Sequence, residues 1–192
     1  MISRPFSGPF PRLRARQPLC LADAGRSGAL FVARREPLFQ SPDDIAFFTA
    51  HRNGFPVGRI TAHIHRASNA RHNETRAHFG FFDCGDDPDA ARALLTYAET
   101  WAKARGMTEI AGNFNLTAMQ QAGVVTDGFD AAPYTDQIYN PPHIVRLLEA
   151  NGYARDFPMT TSEIDLQSLD PARLLGPKQR RISPRASIPS RR

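Results

Sequence analysis

Residues 77–107, AHFGFFDCGDDPDAARALLTYAETWAKARGM, decide the fold of this chain. Phenylalanines crowd the first eight residues, which is typical of a strand buried on both faces. Asp86 or Asp87 can then cap a helix, and Pro88 suits its first turn. We therefore predict a buried strand followed by a helix over 88–105. The apolar positions of this helix recur at helical spacing and predict one face packed on a sheet: Ala91, Leu94, Leu95, Ala98, Trp101 and Ala102.

The residues before this stretch predict an antiparallel hairpin. Residues 45–51 have the composition of a strand, and the Asn-Gly pair at 53–54 is a strong signal for a tight turn. Apolar and polar side chains alternate over 57–65, so one face of this second strand should pack on the core. His63 and His65 fall on its other face, which we expect to lie in solvent.

The remaining segments complete an α/β fold. Residues 66–75 and 113–139 are polar and are predicted to be irregular, apart from a short helix near 116–121. The chain then has the order β-β-β-α-β-loop-α-β-β, which predicts a mixed, mostly antiparallel sheet with packed helices. The other elements of this prediction are a strand at 108–112, a helix from Pro141-Pro142 to Asn151-Gly152, and strands at 153–157 and 160–166.

The basic side chains are concentrated at the two ends of the chain. Residues 1–35 hold seven basic side chains and one acidic one, and residues 177–192 hold six basic and no acidic side chains. The middle is net acidic, which argues against a nucleic-acid partner although the whole chain carries +5. Proline and one-signed charge disfavour a packed core at the ends. We predict an irregular basic segment at 1–40, one folded domain at 41–170 and a disordered basic tail at 171–192.

Composition excludes several classes of protein. No stretch approaches the roughly 18 consecutive apolar residues of a membrane span, so we expect no membrane partner. Cys20 and Cys84 are too few for a disulfide scaffold and lack the spacing of a metal site. Prolines interrupt the Arg-rich N-terminus and argue against a transit peptide. We therefore expect a cytoplasmic protein.

Five short motifs stand in order within residues 41–166: Val57-Gly58-Arg59-Ile60, Phe79-Gly80-Phe81-Phe82, Ala104-Arg105-Gly106-Met107, Gly128-Phe129-Asp130 with Pro133, and Tyr139-Asn140-Pro141-Pro142 before Leu147-Leu148-Glu149. Together with the predicted order of elements, they resemble one poorly characterised branch of the GNAT N-acetyltransferase superfamily. The resemblance implies a GNAT-like domain. Members of this branch are longer and carry a second GNAT-like lobe, so the chain resembles a truncated or divergent member.

The resemblance implies acetyl-CoA as cosubstrate, held in a splay between two central strands with its pyrophosphate on the N-terminus of the next helix. The superfamily loop, Gln/Arg-x-x-Gly-x-Gly/Ala, falls on residues 86–91, where only Ala91 matches. Asp86, Asp87 and Asp89 stand there instead and repel a diphosphate, so we expect weak binding. An acidic helix cap and a metal-bridged phosphate are the alternatives for this run. The residues implied to contact the cofactor are Phe82, Asp83, Cys84, Ala91, Asn113 and Asn140.

The catalytic candidates that follow from the resemblance are Tyr139 and Asp130. Many members of the superfamily use a tyrosine of the late helix as general acid toward the leaving thiolate. The expected position holds a leucine in this chain, and Tyr139 or Tyr134 can take the role. Asp130, His63 or His65 can serve as general base for the acceptor amine.

The histidines raise the question of a metal site, which the sequence does not favour. His63 and His65 share one strand face, with His72 and His78 nearby in sequence, and zinc commonly takes such nitrogens. Histidines two residues apart on a strand are nevertheless typical of a solvent face, and no cysteine or carboxylate has companion spacing. We therefore predict no metal ligand.

These observations predict an N-acyltransferase-like protein that transfers an acetyl or acyl group from acyl-CoA to the amine of a small molecule or peptide. The degenerate loop keeps a second interpretation open: a non-catalytic GNAT-fold lobe that binds a ligand or docks a partner. A second GNAT-like lobe or another copy of the chain is the protein partner that the resemblance implies. A third alternative, a nucleic-acid-associated protein, rests on the basic ends alone.

Overall fold

Seven strands and three α-helices make up the part of the chain that the computed structural model describes, residues 1–5, 19–23, 39, 41–117, 121–133 and 137–162. Residues up to 158 belong to one compact unit, and 159–162, from a second unit, contain no helix or strand. The elements, in chain order, are β1 (Ile2–Pro5), β2 (Leu19–Asp23), a 3₁₀ helix (Pro42–Asp44), β3 (Ile45–Arg52), β4 (Phe55–His63), α1 (Arg66–His72), β5 (Arg76–Cys84), α2 (Pro88–Lys103), β6 (Glu109–Gly112), α3 (Pro142–Ala150) and β7 (Ala154–Arg155).

The strands form one sheet in the order β2-β3-β4-β5-β6-β1-β7. Every neighbouring pair is antiparallel except β5 and β6, which run parallel. This parallel pair follows from the crossover through α2, since parallel neighbours need a connection of about a dozen residues or more. The predicted α/β class, with a mixed and mostly antiparallel sheet and packed helices, is confirmed.

The main core lies between the sheet and the apolar faces of α2 and α3. Leu94 and Leu95 of α2 and Leu148 of α3 are buried together with Ile60 and Phe79 of the sheet. This packing keeps α2 fixed against β4 and β5, and β5 borders the candidate site. Within the described residues, none of the helices combines the length and the apolar character needed to cross a membrane.

Local signals place the hairpin and the helices correctly. Asn53 and Gly54 have φ angles of 53° and 83°, as a two-residue hairpin loop requires. The prolines at the starts of α2 and α3, Pro88 and Pro142, occupy the first turn of each helix. α2 ends at Lys103, two residues before the predicted end.

β1 and β2 correct the prediction that residues 1–40 are irregular. β1 pairs with β6 and β7, and β2 pairs with β3. Both strands are short and lack a local sequence pattern. They form because their backbones pair with the exposed N–H and C=O groups of neighbouring strands. Apart from these strands, Met1 and Phe39, the segment lies outside the described residues, as does the predicted tail at 171–192.

The helix α1 corrects the prediction of irregular structure at 66–75. Its buried residue is Asn69, whose Nδ2 donates a hydrogen bond of 2.8 Å to the Arg76 carbonyl oxygen. Asn73, in the left-handed region with φ 55°, ends the helix. Because the buried side chain of this helix is a polar asparagine, the sequence shows no apolar repeat at helical spacing that would predict it.

The C-terminal strands are shorter than predicted. β7 has two residues, 160–162 form no strand, and 163–166 lie outside the described residues. Phe157, the last residue of the first predicted strand, lies outside β7 and is 62% exposed. The short helix predicted near 116–121 is not present at Leu116 and Thr117, and Leu116 has a φ of +67°; residues 118–120 lie outside the described residues.

Candidate functional site

The candidate site is a fork where β5 and β6 part. The two strands pair only from Arg76 to His78 on β5 and from Glu109 to Ala111 on β6. β6 ends at the next residue, whereas β5 continues to Cys84. The later half of β5 therefore lacks a strand partner on the side of β6, which is the splay that the resemblance implies.

Two asparagine side chains fill the fork. The Asn113 Oδ1 accepts a hydrogen bond of 3.3 Å from the Phe82 N–H, and the Asn115 Oδ1 accepts one of 2.6 Å from the Phe81 N–H. Phe81 has a φ of +46°, and the pairing of β5 with β4 shifts register at this point. This irregularity is typical of a β-bulge. The protein itself thus supplies the acceptors that these β5 donors need.

Two glycines let the chain after β6 pass close to β5. A Cβ atom on Gly80 would overlap the backbone of Phe114, and a Cβ atom on Gly112 would lie 2.5 Å from the Phe79 carbonyl oxygen. Larger residues therefore cannot occupy either position without a shift of the backbone. The Phe114 N–H uses this close approach to donate a hydrogen bond of 2.7 Å to the Phe79 carbonyl oxygen.

The N-terminus of α2, where the resemblance places the pyrophosphate, is filled by Asp87. Its Oδ1 accepts hydrogen bonds of 3.1 Å from the Asp89 and Ala90 N–H groups. The Ala91 N–H donates to the Asp87 carbonyl oxygen, and Pro88 has no N–H. All free donors of the first turn are therefore used, and the acidic helix cap is confirmed with Asp87 as the capping residue.

Arginines from distant elements neutralise this acidic loop. Arg52 of β3 donates two hydrogen bonds to the Asp87 Oδ2, of 3.0 and 2.7 Å. Arg146 of α3 lies 2.8 Å from the Asp86 carboxylate. Partial burial alone would raise the pKa of Asp87, but the Ala90 N–H and Arg52 outweigh it and hold that pKa below its usual value. No local pattern in the sequence marks either arginine, because their contacts with the loop span 35 and 60 residues.

Cys84 ends β5 beside this loop and is buried. Burial raises the pKa of its thiol to about 12, and the carboxylates of Asp87, Asp83 and Asp86 add to the effect. The thiol is therefore protonated at neutral pH. His143 of α3 has its Nε2 2.9 Å from the Cys84 carbonyl oxygen, which fixes α3 against the end of β5.

The other residues predicted to contact the cofactor, Asp83, Ala91 and Asn140, lie in three different surroundings. Asp83 is exposed and lies 3.6 Å from Arg59, and Ala91, in the first turn of α2, is fully buried. The Asn140 Oδ1 accepts a hydrogen bond of 2.7 Å from the Val125 N–H, so this side chain fastens the loop before α3. Six residues were predicted to contact the cofactor. Two of them, Phe82 and Asn113, are hydrogen-bonded to each other at the fork.

The two catalytic candidates lie on the surface. Tyr139 is 71% exposed and stands three residues before α3. Asp130 is exposed in the turn that follows Gly128. Among the described residues, no hydrogen bond connects either side chain to the fork. Tyr134, the alternative acid, lies outside the described residues.

His63 and His65 are buried, which corrects the prediction of a solvent face. His63 is fully buried and His65 is 9% exposed. Their rings pack with each other and with those of His78, Phe39 and Phe114 at centroid distances of 5.1–6.2 Å. The alternating pattern showed correctly which residues share a face, but it carried no information about the segments that cover that face.

Burial also keeps these histidines neutral. It lowers the pKa of His63 well below the usual value and the pKa of His78 to about 3, and the neighbouring histidines add to both shifts. Burial lowers the pKa of His65 as well, against a hydrogen bond with the Leu116 backbone that raises it. The cluster therefore presents uncharged imidazoles at neutral pH.

Solved structures similar to this chain belong to an aminoglycoside acetyltransferase from an uncultured soil metagenomic sample. The complex with sisomicin has a TM-score of 0.45 and 12% sequence identity. The complex with trehalose has a TM-score of 0.42 and 8% identity. Each similarity covers 77% of this chain and 96% of the acetyltransferase chain.

The sequence comparisons find two curated relatives, whereas no protein-family model matches. Over 129 residues, 65% of this chain and 33% of the relative, the sequence is 36% identical to Protein YghO of Escherichia coli (strain K12). Over 133 residues, 66% of this chain and 35% of the relative, it is 32% identical to the bacterial ceramide synthase of Caulobacter vibrioides (strain NA1000 / CB15N). The chain thus spans about a third of the length of the curated relatives it matches.

Proposed function

We propose that this chain is an N-acyltransferase-like protein that moves an acyl group from a CoA thioester to an amine. The observation that carries the proposal is the 32% identity with a protein named a bacterial ceramide synthase. A ceramide is the amide of a fatty acid with a long-chain amino alcohol, so forming one is an acyl transfer to nitrogen. Among the amines of small molecules and peptides, a long-chain amino alcohol is therefore the first acceptor to test.

The fork is the proposed place for the donor's thioester and pantetheine arm. An amide carbonyl of the arm can take over the Phe81 or Phe82 N–H from Asn115 or Asn113. Displacing a neutral asparagine costs less than displacing the Asp87 carboxylate, which holds two N–H groups and Arg52 through charge-assisted hydrogen bonds. We therefore expect the donor to bind with its diphosphate away from the N-terminus of α2.

The proposed transfer is direct, without an acyl-enzyme. The Cys84 thiol, with a pKa of about 12, is a poor nucleophile at neutral pH. In the proposed step the amine nitrogen attacks the thioester carbon, and the carbon–sulfur bond breaks as the amide forms. Asp130 accepts the proton that leaves the nitrogen, and Tyr139 donates a proton to the departing thiolate.

The short span of the match suggests a partner in the reaction. The relatives are about three times as long as the matched stretch, so a second GNAT-like lobe or a second copy of this chain is the proposed partner. The alternative function is a non-catalytic lobe that binds a ligand or docks a partner, and an assay of acyl transfer separates it from the first.

We expect amine-dependent release of CoA when the chain is incubated with a long-chain acyl-CoA and a long-chain amino alcohol. Free thiol and the N-acyl product are measured together, the product by mass spectrometry. Tyr139→Phe should lower kcat by about 10²-fold or more, since it removes the proton donor. Tyr97→Phe, at a second exposed tyrosine, is the control and should leave kcat unchanged. If no amide forms under any condition, the non-catalytic lobe becomes the better account.

A further inference from the structure

The buried histidine cluster, His63, His65 and His78, has no role in the proposed transfer. His63 and His78 are direct partners across the β4–β5 pair, and His65 lies two residues beyond His63 on the same side of the chain. Ile64, between the first two positions in the chain, packs in the main core with α2. The three histidines therefore project from the opposite face of the sheet.

Residues 113–117, which we call the cover segment, pack on this cluster. The Phe114 ring contacts all three histidines, at centroid distances of 4.8–6.2 Å. His65 also forms a hydrogen bond with the Leu116 backbone. The histidines are therefore the surface on which the cover segment rests.

The same cover segment closes the fork. It carries Asn113 and Asn115, whose side chains accept hydrogen bonds from the Phe82 and Phe81 N–H groups. A movement that lifts the cover segment from the histidines also withdraws these acceptors. Such a movement would leave the two N–H donors of β5 free.

The cluster is a poor place for a positive charge. Both ring nitrogens of His63, the Nε2 of His65 and the Nδ1 of His78 are buried without a hydrogen-bond partner. Burial lowers the pKa of His78 to about 3, and His65 and Arg76 add to this shift. A proton taken up by a ring of the closed cluster is therefore a poorly solvated charge, which is costly in free energy.

The surrounding elements supply no counter-charge from their described residues. β3 presents Ile45 and Phe47 on the histidine face, and the cover segment has no charged side chain. The charged side chains around the cluster are paired with one another: Arg76 with Glu109, Arg59 with Asp83, and Asp44 with Arg66. These pairs leave the histidines stable only in their neutral form.

We propose that the histidine cluster is an acid-sensitive latch on the fork: when its histidines take up protons, the cover segment lifts from them and the β5 donors become free. Phe39, Ile45 and Leu116 form a small apolar cluster on this face, separate from the main core. The cover segment can therefore open while the sheet stays packed on α2 and α3. This latch concerns the fork itself and does not depend on the proposed acyl transfer.

The direction of the pH effect follows from the lowered pKa values. Well above pH 6.5 the histidines are neutral in the closed and the open form, so pH does not shift the equilibrium. Below pH 6.5 the exposed imidazoles of the open form take up protons, whereas the closed form resists until about pH 3 at His78. Each histidine that opening exposes raises the ratio of open to closed form by up to about tenfold per pH unit in this window. His78 alone then contributes about 100-fold between pH 7.5 and 4.5.

Amide hydrogen exchange of the full chain tests the latch. It is followed by NMR at pH 7.5 and 4.5 and corrected for the intrinsic pH dependence of exchange. We expect the N–H groups of Phe81, Phe82 and Phe114 to lose about 100-fold of their protection or more at pH 4.5. The N–H groups of Leu94 and Leu95 in α2 should stay better protected than these at both pH values, because the main core opens only on global unfolding.

Glutamine in place of histidine removes the proton uptake. In the double variant His65→Gln/His78→Gln, the loss of protection between the two pH values should shrink by about 100-fold or more, the contribution of His78. His72→Gln, at an exposed histidine of α1, is the matched control and should keep the pH dependence of the wild type. Far-UV circular dichroism at pH 7.5 shows which variants are folded. If the double variant does not fold, His78→Gln alone replaces it with the same expected reduction.

Three results would overturn the proposal. The first is a change of less than about tenfold in the exchange of Phe81, Phe82 and Phe114 between the two pH values. The second is exchange of these groups at the same protection as Leu94 and Leu95, because acid would then act by global unfolding. The third is a folded glutamine variant with the pH dependence of the control. None of these readouts requires acyl transfer, so the proposed function can fail without affecting them.

Discussion

Replacing Arg4 by alanine is expected to lower the free energy of unfolding by about 3 kcal/mol. The Arg4 guanidinium lies 3.0 Å from the Glu99 carboxylate, which is 2% exposed in the middle of α2. The Tyr153 hydroxyl also donates to this carboxylate, at 3.0 Å. Without Arg4, the neutral Tyr153 hydroxyl is the donor that the described part of the chain leaves to this buried carboxylate. This loss of stability is at the low end of the range for breaking a buried ion pair, because the Arg4 side chain is itself partly exposed.

Urea unfolding, followed by circular dichroism, measures this effect. Arg59→Ala is the matched control, since Arg59 pairs with Asp83 at 3.6 Å where both side chains are more than half exposed. That exposed pair should contribute less than about 1 kcal/mol. Equal losses in the two variants would mean that β1 does not pack against α2 as the structure has it.

Replacing Gly80 by alanine is expected to cost about 3 kcal/mol or more, at the upper end of overpacking effects. The added methyl group would overlap the backbone of Phe114, and backbone cannot rotate away as the end of a flexible side chain can. The strand and the segment after β6 must therefore move apart. That movement would also strain the hydrogen bonds that Asn113 and Asn115 make across the fork.

Gly85→Ala provides the control for this substitution. A Cβ atom at Gly85 would lie 3.8 Å from the Val57 carbonyl oxygen, an ordinary contact, so the stability should change by less than about 1 kcal/mol. Both variants are compared by urea unfolding. A Gly80→Ala protein as stable as Gly85→Ala would show that the chain does not cross β5 at this point.

The sequence predicts the elements that local chemistry determines. The Asn-Gly turn at 53–54 and the Asp87–Pro88 start of α2 each depend on neighbouring residues, and both are found where they were predicted. The apolar spacing of α2 likewise predicts its buried face, including Leu94. These signals were enough for the fold class, because the order of strands and helices limits the possible sheets.

The site depends on contacts that no local pattern shows. Arg52 meets Asp87 across 35 residues, and the β5 amides meet Asn113 and Asn115 across more than 30. The sequence did predict that Asp86, Asp87 and Asp89 would weaken an anion site, but it could not show that Asp87 alone fills the donors or that Arg52 holds it there. Residues far apart in the chain meet only through the tertiary fold.

The central claim is that the Asp87 cap keeps the donor's diphosphate away from the N-terminus of α2. The most direct test compares the dissociation constants of acetyl-CoA and S-acetylpantetheine, which lacks the nucleotide and its diphosphate, for the wild-type chain by titration calorimetry at low and high salt. We predict dissociation constants within about tenfold of each other and little change with salt, because no helix-end anion site contributes. Acetyl-CoA binding more than about 100-fold tighter than acetylpantetheine, with the difference lost at high salt, would contradict the account.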